Sequence, residues 1–148
     1  MIESETAALA ATNATSQQIH ALEQLIAQGY SMVEHGDTGI QADTDFHDTI
    51  AEASGNNVLA ALVMMLRSQV WLNQVVAAMR TKVGGRLVVD HEAIVNAIKA
   101  RKPDLARRAM QHHLSKLIAD VDRYWEQVFA NRDSHSTRRF IGFLVVAT

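Results

Sequence analysis

DTDFHDTIAEASGN, residues 43–56, reads as one amphipathic helix with a marked end, and it carries two metal-competent side chains on its apolar face. With successive side chains about 100° apart, Asp43 and His47 share an arc with Phe46, Ile50 and Ser54, while Asp45, Asp48 and Glu52 take the opposite side. Ser54-Gly55 supplies the left-handed closure that glycine allows, and Asn56 is a natural cap for a following helix. An acid and a histidine one turn apart therefore point inward.

Outward from this stretch, the same pattern recurs twice. Between Asp90 and Ala100, His91 lies on the arc of Ile94, Val95 and Ile98. After Pro103, His113 lines up with Ala106, Ala109, Met110, Leu117, Val121 and Tyr124, whereas His112 falls beside Arg108, Ser115 and Lys116 and is set aside. Burying such groups without partners costs about 2–7 kcal/mol each, so something must satisfy them. Neutral imidazole and carboxylate suit a divalent transition metal, zinc first, with nickel or manganese as alternatives. Helical bundles build such sites from inward side chains on facing helices. Asp43, His47, His91 and His113 are thus the candidate metal ligands. For any single histidine, a backbone carbonyl or another side chain as partner stays open as the alternative.

Helix is expected nearly throughout, because the chain has one proline, many Ala, Leu, Met, Gln and Glu residues and no strand-like alternation. The expected elements run from Glu3 to Ala11, from a cap at Thr15 or Ser16 to Glu34, from Ile40 to Ala53 with an end near Ser54-Gly55, from Asn57 to Lys82, from Asp90 to Ala100, and from Pro103 to Ala130. HGDTG (35–39) and Gly84-Gly85 interrupt them. The Asn57–Lys82 helix is apolar on most of its circumference, which implies burial on several sides. The fold class is therefore all-α, an antiparallel bundle of about six or seven helices with an internal cavity for the metal. Residues 1–136 read as one helical domain, and 137–148 as an apolar tail of helical or extended form.

Composition narrows the function classes. With 148 residues the chain is one domain, able to bury about 68–70 % of its unfolded surface. The absence of cysteine excludes disulfides and thiolate metal sites. Fourteen Lys and Arg against sixteen Asp and Glu leave no basic surplus for a phosphate backbone, so no direct nucleic-acid binding is expected. The N-terminus lacks a signal pattern, and the longest apolar tract, Phe140–Ala147, falls short of the roughly 20 residues of a membrane span. A cytoplasmic protein without membrane contact is the expectation.

The order of four elements resembles the ligand-binding C-terminal domain of the FadR subgroup of GntR-type transcriptional regulators. The elements are IESETAALAA near the start, DTDFHDTIAEASGN at 43–56, DHEAIVNAIKARKPDLARRAM at 90–110, and HHL at 112–114. The resemblance implies metal binding by the same Asp43, His47, His91 and His113. It implies an effector-sensing domain that binds a small carboxylate at the metal and works as a homodimer. The winged helix-turn-helix domain of such regulators is absent from this chain, and the tail after Ser136 has no counterpart in the pattern.

Arg67, a fixed positive charge within the apolar fourth helix, is the candidate effector-binding residue through bidentate contact with a carboxylate; an Arg reaching solvent or pairing with a structural acid is the alternative. Asp90 reads either as orienting a ligand histidine or as a helix cap. Arg101, Lys102, Arg107 and Arg108 read as a solvated face, and Trp71 and Trp125 as core or interface. The rival functions are a metal-dependent enzyme acting on a small organic acid, for which no further inward acid or base stands out, and a purely structural dimerisation bundle.

Overall fold

A computed structural model describes residues 1–68 and 87–129, with the side chains of Trp125 and of residues 127–129 left aside. The expected course of the fourth helix beyond Ser68, Trp71, Gly84-Gly85 and the 137–148 tail lie outside the described residues. Helices are α1 (Ile2–Asn13), α2 (Ser16–Glu34), α3 (Ile40–Ala53), α4 (Asn57–Arg67), α5 (helical over residues 87–99) and α6 (Pro103–Phe129). Among the described residues there is no strand, and no helix is long and apolar enough to cross a membrane. The all-α class expected from the sequence is the class observed.

Local chemistry fixes the helix ends. Thr15 and Gln18 form a reciprocal capping box at the start of α2: the Thr15 hydroxyl accepts from the Gln18 N–H, and the Gln18 side chain accepts from the Thr15 N–H. Asn56 accepts from the Val58 and Leu59 N–H groups at the start of α4. α2 closes at Gly36 (φ 75°), with the Asp37 N–H on the Met32 carbonyl at 2.9 Å.

α5 closes in the same way through Arg101, a non-glycine residue at φ 56°. Its guanidinium reaches the Ala11 and Thr12 carbonyls at 3.4 Å, so the strained residue also caps the C-terminal end of α1. Arg107 chelates Glu5 and pairs with Asp104. Arg101, Lys102 and Arg108 are exposed, as the solvated basic face expects, and Arg107 is intermediate; Arg101 and Arg107 in addition tie α1 to the α6 region.

These contacts also give the helix directions. Glu5 meets Arg107 and the end of α1 meets Arg101, so α1 and α6 are antiparallel. α3 and α4 are antiparallel as well, since Asp43 early in α3 meets Arg67 late in α4 while Ala51 packs near Ala60 and Val63. Gly29 beside Val88 and Glu23 paired with Lys99 make α2 and α5 antiparallel. α1 and α3 instead run in the same direction, with Glu3 beside His47 and Asn13 bonded to the Ser54 carbonyl.

The core holds Leu22, Phe46, Ile50, Ile94, Ile98 and Met110, packed against a buried alanine face of α1 made by Ala7, Ala10, Ala11 and Ala14. The described part of α4 is buried on one side within this chain. Over its described length Ala60 and Val63 face inward, while Val58 (70 % exposed) and Met65 (56 %) do not.

Gly55 sits at φ 71°, and a Cβ there would stand 3.3 Å from the Asn13 amide nitrogen, which donates to the Ser54 carbonyl. Gly36 has a similar φ and open space around it. Both glycines should lose about 1 kcal/mol on replacement by Ala, with a further loss at Gly55. Denaturant unfolding of Gly55→Ala beside Gly36→Ala checks this; equal losses would show that the Asn13 contact adds nothing.

Candidate metal centre

Three helices deliver the four candidate ligands. Asp43 and His47 stand one turn apart on α3, His91 lies near the start of the described part of α5, and His113 lies in the middle of α6. The three imidazoles are buried, and the Asp43 side chain is 11 % exposed. One donor atom from each residue can be chosen so that all four lie within 4.8 Å of one another. Donors about 2.0–2.2 Å from a common ion stand roughly 3–4 Å apart, so a small inward movement of side chains suffices. His91 Nε2 is 3.3 Å and His47 Nε2 3.9 Å from the same oxygen, Asp43 Oδ1. Phe46 stacks on the His91 ring at 4.0 Å and fixes its plane. Exposed His112 stays outside the group, as the wheel places it.

His113 carries the test of fit. Among the described residues, neither of its buried ring nitrogens has a hydrogen-bond partner. Burial, with His91 and His47 nearby, holds its pKa well below 6.5, so the ring is neutral at neutral pH, the form a metal needs. A fully buried imidazole with neither nitrogen satisfied is costly unless a cation takes one of them. The four residues form a buried Asp/His group that could hold a metal ion.

Around this group lies a layer of charge that the sequence reading missed in part. Glu3, 0 % exposed on α1, places Oε2 in close contact with His47 Nδ1 and Oε1 3.3 Å from Arg67. Burial works against its ionisation, but His47 and Arg67 outweigh it and hold the carboxyl at about 2. Arg67, 14 % exposed, also donates to Asp43 Oδ2 at 2.6 Å. Burial lowers its pKa and the two acids more than restore it, so it is a fixed cation between them. Glu3 extends the Ala7, Ala10, Ala11 and Ala14 stripe by one turn, which is the signal that could have found it.

Asp90 lies inside α5 rather than at its cap, because residues 87–89 are already helical. Leu87 and Val88 are buried and carry the helix past the expected start. Its carboxylate accepts from Lys116 at 2.8 Å and stands 4.0 Å from His113 Nδ1. Asp48, assigned by the wheel to the outer side, is half-buried; burial raises its carboxyl against the pull of Arg67 and His47. A small cleft lined by Leu25, Gly29, Thr38, Ala42 and Val88 reaches Asp43 and His91.

Comparison with known proteins gives this arrangement a family. Residues 1–116 match the FCD domain. The transcriptional repressor NanR of Citrobacter rodentium is 34 % identical over 125 residues, which cover 79 % of this chain and 46 % of that protein. The Uxu operon regulator of Haemophilus influenzae is 29 % identical over 126 residues, covering 79 % and 46 %. Among solved structures, a GntR protein of Streptococcus agalactiae superposes with a TM-score of 0.64 at 27 % identity, over 79 % of this chain and 53 % of that one. The chain spans about half the length of the curated relatives it matches. These relatives are named as transcriptional regulators, not enzymes. The chain belongs to the FCD domain family, the C-terminal domain of FadR/GntR-type regulators.

Proposed function

We propose that this domain senses a small organic acid at a metal held by Asp43, His47, His91 and His113, and passes the signal through a homodimer to DNA-binding heads carried outside this chain. Zinc is the first candidate ion, with nickel and manganese next, because nitrogen and oxygen donors accept all three. When bound, the ion supplies open coordination positions for a carboxylate or hydroxycarboxylate oxygen. The observation that carries the reading is the convergence of four donors from three helices around His113, whose nitrogens have no hydrogen-bond partner among the described residues.

Charge supports an anionic effector. Of the nearly buried groups at the centre, Glu3 and Asp43 outnumber Arg67 by one negative charge, and Asp90 is balanced by Lys116. A divalent ion reverses that sign. Arg67 is the proposed effector clamp, and it would serve by releasing one of its two internal carboxylates to the incoming one. Effector binding must also differ between two arrangements of the dimer, since equal affinity for both shifts nothing.

Thermal-shift screening of carboxylic acids on metal-loaded and stripped protein tests this reading. At least one acid is expected to raise the melting temperature of the loaded form by several degrees and leave the stripped form unmoved. Equal shifts in both forms, or none in either, would remove the metal from effector recognition.

A further inference from the structure

We infer that Glu3 is the positioning residue of the metal centre: it fixes His47 as the Nδ1–H tautomer and thereby presents Nε2 to the ion. The inference rests on the metal-site reading above and adds to it a residue from α1, a helix that supplies none of the four ligands.

Three observations meet at Glu3. Its side chain is fully buried, at the head of a stripe otherwise made of alanine. One carboxylate oxygen contacts His47 Nδ1, while His47 Nε2 is the nitrogen that faces Asp43. The other oxygen meets Arg67, which in turn holds the second oxygen of Asp43. A single short chain of contacts, His47 to Glu3 to Arg67 to Asp43, therefore links the two α3 candidates behind the centre, with Glu3 as the group that meets the imidazole.

For folding alone, this is a poor use of the position. A buried ion pair seldom stabilises more than well-packed apolar side chains of similar volume, because both charges must leave water. Ligating histidines, however, commonly donate their remaining N–H to a carboxylate, which fixes the tautomer and raises the basicity of the ligating nitrogen. Glu3 has the placement and the charge for that task. Through it, the first turn of α1 is joined to His47.

The experiment compares wild-type protein with Glu3→Gln and Glu3→Ala, using zinc affinity from competition with a chelator and the nitrogen-15 shifts of the His47 ring. In the wild type, His47 is expected to be protonated at Nδ1 with and without zinc. Glu3→Ala should weaken zinc about 10–100-fold and release the tautomer. Glu3→Gln keeps an acceptor of the same shape and should fall between. Wild-type affinity and an unchanged His47 ring in both variants would overturn the inference while leaving the metal site intact. Failure of wild-type protein to take up zinc, nickel or manganese would overturn the metal reading itself, and this inference with it. Should the variants not fold, an Nε2–H tautomer of His47 in the wild type would still refute the assignment.

Discussion

Stripping the proposed metal from this protein is expected to lower its melting temperature by about 8–16 °C. An ion held a thousandfold above its dissociation constant adds about 4 kcal/mol to a folded state that alone can bind it. In a domain of this size each kcal/mol moves the midpoint by roughly 2–4 °C. The donors sit on α3, α5 and α6, so the free energy of coordination becomes free energy of holding these helices together. His113→Ala should abolish both metal content and the thermal difference. In stripped protein the same change should cost only the packing of a buried ring, because among the described residues that ring has no hydrogen bonds to lose. Calorimetry with and without chelator, joined to elemental analysis, measures all of these quantities. Full metal stoichiometry in purified His113→Ala would sink the assignment of that ligand.

Replacing Arg67 with Met should cost far more in the stripped state than in the loaded one. In stripped protein it leaves Glu3 and Asp43 facing one another in a nearly buried site without their shared cation. Breaking a buried pair from one side costs about 3–5 kcal/mol, or roughly 10 °C here. A divalent ion restores the missing positive charge, and it no longer competes with a guanidinium for Asp43. The gap between loaded and stripped melting temperatures should therefore widen relative to wild type. A narrower gap would show that Arg67 acts chiefly by holding Asp43 in its ligating pose.

Much of this centre was legible from periodicity alone. Asp43, His47, His91 and His113 each fall on an apolar arc whose other members, such as Phe46, Ile94 and Met110, are core residues in the structure. The helix ends at Thr15, Gly55 and Asn56 were legible because capping chemistry is local. What resisted was chemistry that depends on neighbours distant in the chain. Glu3 reads as an ordinary solvated acid in the first turn of a helix, and the inward side of α1 is alanine, which does not mark a face as leucine would. Arg67 could be singled out as an anomaly, but its partners come from 24 and 64 residues away. Asp90 misled because it looks like a cap, while the two buried residues ahead of it, Leu87 and Val88, carry the helix further upstream.

The alanine face of α1 makes that helix a spacer of minimal thickness between its neighbours. A spacer of this kind tolerates error poorly in either direction. Trimming a methyl to glycine loosens the backbone, and adding methylenes wedges the surrounding helices apart at a cost of about 1–3 kcal/mol. Ala7 is fully buried one turn beyond Glu3, so a bulkier side chain there would shift the carboxylate off its imidazole without altering any ligand. Variation that weakens ion uptake should thus cluster along α1 as well as among the donors, in residues with no polar atom in their side chains.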